Sequence, residues 1–111
     1  MKASKRERLR KAGFKVGSAA SFLGLSEEEQ ALVAMKLELV AGVKARRTAQ
    51  RLSQAALAER LGSSQSRVAK LEAGDPSVAL ELLMRALLNL GATRKQIAAL
   101  IGNAQRRKSA A

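Results

Sequence analysis

Apolar residues recur at three- and four-residue spacing through most of the chain, and no stretch alternates with the period of two that a strand requires. The pattern predicts helices throughout. A first helix starts at Ser26, where Glu29 three residues on completes a capping box and Glu27, Glu28 and Glu29 suit the positive helix end. It runs to about Gln50, with Arg46, Arg47 and Arg51 in and just beyond its last turn. Its apolar residues (Leu32, Val33, Met35, Leu37, Leu39, Val40, Val43) fill more than one stripe. One face is therefore expected on the domain body and the other on the N-terminal segment or a second subunit. Four short helices follow, each with its own start and stop. Ser53 caps one that Gly62 closes; Ser63 caps the next, which ends at Ala73 with Gly74. Ser77, after an Asp75-Pro76 turn, opens a third that Gly91 closes. Thr93 opens the last, expected to reach Ile101 and close at Gly102.

The segment Leu52–Gly74, LSQAALAERLGSSQSRVAKLEAG, is the most informative. Ala56, Leu57 and Leu61 share one face of the first short helix, and Val68 and Leu71 share one face of the second, with Ala69 beside them. Gly62 stands at the junction, where a sharp turn asks for a residue without Cβ. Two such helices joined tightly form a helix-turn-helix. With Val68 and Leu71 inward, Ser66, Arg67 and Lys70 face outward and Gln65 stands at the leading edge, which is where groove-inserted helices read bases. Gln pairs bidentately with adenine, Arg or Lys takes the guanine acceptors, and Ser serves either. Gln54, just inside its helix start, is placed to hold a phosphate.

Charge extends this picture. The chain carries a formal +12, with seven Lys/Arg against one Glu in residues 1–15 and +3 in residues 103–111; residues 52–102 hold only +2. Basic ends flanking a DNA-reading body point to phosphate contact. Residues 16–25 carry no charge at all. With Phe14, they form an apolar docking segment: Phe14, Val16, Phe22, Leu23 and Leu25 either cover the body of the domain or present a surface to a partner. The organisation expected is a basic arm and docking segment over residues 1–25, a DNA-binding domain over 26–102 and a basic tail over 103–111.

Composition removes several alternatives. Without Cys or His there is no disulfide, no thiolate or imidazole metal site and no His-based proton transfer. Phe14 and Phe22 are the only aromatics, too few for base-stacking modules. Glu27–Glu29 are helix-start residues, Asp75 belongs to a turn, no Ser has a plausible base, and there is no phosphate-binding Gly-rich loop. No catalytic residue, metal or cofactor is expected. A ribosomal or nucleoid structural protein would fit the high pI but not the modest charge of the middle segment. No apolar run is long enough to span a bilayer and no signal core follows the basic start, so the expected location is the cytoplasm, on the nucleoid.

The segment resembles the Cro/CI-type (XRE family) helix-turn-helix of phage repressors and small bacterial regulators. The matched positions are Leu52-Ser53-Gln54, Leu57-Ala58, Gly62, Ser64-Gln65-Ser66, Val68 and Leu71-Glu72-Ala73-Gly74, continuing through Pro76, Leu80, Leu83, Ala86, Leu87, Leu90 and Gly91. Arg51 departs from the pattern, standing where the family often has Gly. The resemblance implies an all-α, five-helix, lambda-repressor-like domain that dimerises on two inverted half-sites of double-stranded DNA. Carried over by position, Gln65, Ser66 and Lys70 read bases; Gln54, Ser64 and Arg67 make phosphate or mixed contacts; Arg47 reaches the DNA backbone. Ser66 is short for a base reader, which shifts weight to DNA shape. The function implied is transcriptional regulation, as a repressor. Residues 22–29 and the long helix also resemble HigA-like antitoxins, which bind a small toxin protein and repress their own operon, and this is the alternative. Interface candidates for a homodimer are Leu88, Ile97, Leu100 and Ile101, or the second apolar face of the first helix.

Overall fold

The computed structural model describes residues 24–110, with side chains as far as Asn103. The basic arm and most of the docking segment lie outside the described residues. Five helices run in the order α1 (Glu27–Ala49), α2 (Gln54–Leu61), α3 (Gln65–Glu72), α4 (Leu80–Asn89) and α5 (Arg94–Ala110), with no strand among the described residues. The all-α domain with a long first helix is what the residue pattern predicts.

Local chemistry sets the helix ends. At the start of α1 the capping box closes in both directions: Glu29 N–H donates to Ser26 Oγ at 3.1 Å and Ser26 N–H donates to Glu29 Oε1 at 3.0 Å. Thr93 and Gln96 repeat it before α5, at 3.1 and 2.9 Å. The first four helices share one exit, in which a residue with positive φ sends its N–H back to the third residue before it and the next N–H to the fifth. That residue is Gly62 (φ +65), Gly74 (φ +74) or Gly91 (φ +92) after α2, α3 and α4, but Arg51 (φ +57) after α1. Arg51 thus adopts the same left-handed turn as these glycines at a position where a Cβ is strained, at about 1 kcal/mol.

Three boundaries differ from the sequence pattern. Ser64 caps α3, not Ser63: the N–H of Ser63 already donates to Ala58 O at 2.8 Å to close α2, while Ser64 Oγ accepts from Arg67 N–H at 3.2 Å. Ser77 does not open α4. Its N–H and hydroxyl both donate to Asp75 Oδ1, at 2.9 and 2.8 Å, so the chain completes a turn first and enters the helix through Ala79, which makes no side-chain cap. Gly102 does not close the last helix; it has no positive φ, and α5 passes through it to Ala110.

The core gathers residues from every helix. Leu39 and Val43 of α1, Leu57 of α2, Val68 and Leu71 of α3 and Leu83 and Leu87 of α4 are all fully buried. Helix α1 packs on α4 and α5 through its middle, where Gly42 lets Leu100 approach so closely that a Cβ there would stand 2.7 Å from Leu100 Cδ1. Of the residues expected at a dimer interface, Ile97 is buried, Leu100 and Ile101 are half-buried against the core, and Leu88 is 51% exposed; on the first helix Leu32 is 47% exposed. No described helix is long and apolar enough to cross a membrane.

Candidate nucleic-acid interface

Helices α2 and α3 meet through Leu57, Ala58 and Leu61 on one side and Val68 and Leu71 on the other, all buried. Two eight-residue helices joined through Gly62, Ser63 and Ser64 have no room to slide: fully burying Val68 and Leu71 is worth about 1.5–3 kcal/mol each, and this fixes the rotation of α3. Ser64, Gln65, Ser66, Arg67 and Lys70 consequently stand exposed on one continuous surface, as their spacing predicts. Four fall in the first turn of α3 or at its cap, and Lys70 lies one turn later.

Beneath this surface runs a chain of hydrogen bonds. Arg47 of α1 donates to both carboxylate oxygens of Glu72, Nε to Oε2 at 2.5 Å and Nη2 to Oε1 at 2.9 Å, and its Nη1 donates to Leu52 O at 2.6 Å. Gln54 Nε2 donates to Glu72 Oε1 at 3.2 Å. Gln65 Nε2 donates to Gln54 Oε1 at 2.9 Å. The leading side chain of α3 is therefore tied, through Gln54, to an ion pair whose side chains are only 12% (Arg47) and 4% (Glu72) exposed. At the cap, the Ser64 and Ser66 hydroxyls lie 3.3 Å apart.

Burial alone would push the Glu72 carboxyl upward. Hydrogen bonds from Arg47 and Gln54, together with the charges of Arg47 and Lys44, outweigh it and hold the pKa below the ordinary carboxylate value. The hydrogen bond to Glu72 likewise raises Arg47, against the effect of its own burial. The pair is ionised at neutral pH.

The amide inventory has a chemical consequence. A Gln side chain offers two N–H donors and one carbonyl oxygen. Gln65 gives one donor to Gln54 and keeps one donor and its oxygen, the complementary set for N7 and the N6 amino group of adenine. Gln54 gives one donor to Glu72 and accepts from Gln65, keeping one donor for an anionic oxygen. Rotating either amide breaks one of these bonds.

Arg47 is placed differently from the expectation that it reaches the DNA backbone. Its guanidinium is turned inward onto Glu72 and Leu52 O, so it holds α1, the start of α2 and the end of α3 together. Glu72 drew no role from the sequence beyond a matched position. One signal was present: Glu72 lies four residues after Val68, on the same face of α3, and a carboxylate on a buried face requires a cation.

Residues 43–91 match the helix-turn-helix family model, from the second half of α1 to the turn after α4. No curated protein and no solved structure matches the chain. The helical pair α2–α3 lies at the centre of the matched region, so residues 43–91 form a helix-turn-helix of the XRE type, the kind found in DNA-binding transcriptional regulators.

Proposed function

We propose that the chain is a homodimeric repressor that sets α3 in the major groove of an operator half-site. Gln65, Ser66 and Lys70 face the base edges, while Gln54, Ser64 and Arg67 hold phosphates at the groove edge. The observation that carries this reading is the hydrogen-bonded pair Gln54–Gln65, which leaves each amide with the donors and acceptors its role needs. The domain limits, 26–102 for DNA binding with basic extensions on either side, belong to the same reading.

Dimerisation follows from the size of the reading element. One eight-residue helix covers about half of a specific site, and two copies spaced about 34 Å apart address consecutive major-groove faces. Leu88 is the most exposed of the C-terminal interface candidates, and Leu100 and Ile101 remain partly exposed. The antitoxin alternative rests on the resemblance of residues 22–29, and no contact among the described residues favours it over regulation alone.

Selection from a random duplex library tests the proposal. The wild-type chain is expected to enrich an inverted repeat with a fixed adenine in each half-site, and Gln65→Ala to lose the preference at that base pair alone. Enrichment of a single unrepeated site would contradict the dimer; an unaltered preference in Gln65→Ala would contradict the assigned reader.

A further inference from the structure

The first half of α1 and the turn before α4 enclose an apolar groove of about 170 Å³ that the DNA-binding surface does not use. Leu32, Val33, Leu37 and Val40 form one wall, and Pro76 and Val78 form the other. Leu32 at its mouth is 47% exposed. The two polar residues of the lining are engaged within the fold. Lys36 Nζ donates to Val78 O at 2.8 Å and to Pro76 O at 3.3 Å, and the Asp75 carboxylate accepts from the N–H and hydroxyl of Ser77. What remains on offer is hydrocarbon, so the occupant must be apolar and uncharged.

We infer that this groove receives the chain's own N-terminal segment, with the ring of Phe22 as the anchor. Three observations single it out. Residues 16–25 are an uncharged stretch in a chain that is 27% charged, and Phe22-Leu23 is its bulkiest apolar pair. The groove's volume suits one aromatic ring, since a closed apolar cavity of about 150 Å³ takes up benzene. Reach is sufficient. Phe22 stands four residues before Ser26, at most about 13 Å from it and less with a turn at Gly24, and Leu32 at the groove's mouth lies about 9 Å along the helix from that same cap. Gly24, at φ +74, puts a turn between the segment and α1. Leu25, the residue between that turn and the cap, is already buried.

A second copy of the chain is a poorer occupant. A stable interface buries about 800 Å² on each partner, far more than a groove that seats one side chain. Docking would also set the starting point of the basic residues 1–15 at the side of the domain, where Leu71 and Gly74 bring the end of α3 to the groove.

The full chain, methyl-labelled at Leu and Val with protonated Phe rings in a deuterated background, gives a direct test by nuclear Overhauser spectroscopy. The expected result is cross-peaks from the Phe22 ring to the methyls of Leu32, Val33 and Leu37, abolished in Phe22→Ala. Phe22→Ala should also lower the folding equilibrium constant roughly tenfold or more, and Leu32→Ala should cost less in that background than in wild type. Absence of these cross-peaks, cross-peaks from Phe14 alone, or strictly additive effects of the two substitutions would overturn the inference. A mixed sample, with methyl label and protonated rings on separate chains, is expected to show no cross-peaks; their presence would assign the groove to a second copy.

Discussion

Replacing Glu72 by Gln removes one charge and almost no volume, so it isolates what the buried pair contributes. The amide can accept only one of the two Arg47 bonds, and its own N–H groups then face the guanidinium or the Gln54 amide, donor against donor. Arg47 keeps its bond to Leu52 O but loses its counter-ion at a site where its side chain is 12% exposed. Breaking a buried pair from one side costs about 3–5 kcal/mol; the partial exposure of Arg47 and the surviving bonds place this case at the lower end, near 3 kcal/mol. With a urea dependence of roughly 1.5 kcal/mol per molar, the unfolding midpoint should fall by about 2 M. Removing both partners, as Arg47→Met with Glu72→Leu, should recover most of the loss, because no charge is then left alone. Urea titration followed by circular dichroism measures all three chains. A Glu72→Gln protein within about 0.5 kcal/mol of wild type, or a double variant no more stable than Glu72→Gln, would refute the reasoning.

Further expectations concern acidity, packing and charge. Because the folded pKa of Glu72 is depressed, its stabilising effect is fully present above the unfolded carboxylate value of about 4.3 and is lost as pH falls through the lower folded value; stability measured between pH 6 and 2 should therefore fall less steeply in Glu72→Gln than in wild type. Arg51→Gly should raise stability by up to about 0.5 kcal/mol, since relief of the left-handed turn exceeds the added freedom of the unfolded chain, and a lowered melting temperature would contradict it. Gly42→Val should destabilise by about 2 kcal/mol, its branched carbons driving into Leu100 and Leu87, with unfolding midpoints as the measure. Deleting residues 1–11, which hold six of the chain's cations, should weaken binding to every duplex and flatten the dependence of log K on log salt; an unchanged slope would mean these residues do not touch DNA.

The fold and the outer face of α3 were legible because both follow from short-range rules. Glycines after α2, α3 and α4, serines before α1 and α2, and the pair Val68 and Leu71 each act within a few residues. Where two short-range rules compete, the sequence misleads. Ser63 and Ser77 look like caps, but Ser63 belongs to the exit of α2 and Ser77 to the turn closed on Asp75, each before its helix starts. Gly102 looks like a stop, yet nothing after it turns the chain, and α5 continues. The inward turn of Arg47 and the tie between Gln54 and Gln65 depend on how α1, α2 and α3 meet, over separations of 25 and 11 residues. No local pattern encodes such contacts, and the same is true of the packing of Ile97 and Leu100 on the core.

The central claim is that the Gln65 amide, held by Gln54, reads an adenine in the major groove. Replacing that adenine with 7-deazaadenine removes the N7 acceptor and leaves the base pair intact, so affinities of wild type and Gln65→Ala for the two duplexes isolate one hydrogen bond. Wild type is expected to lose roughly tenfold or more on the modified duplex, and Gln65→Ala to bind both duplexes equally. Equal affinity of wild type for the two duplexes, or an equal loss by both proteins, would contradict it.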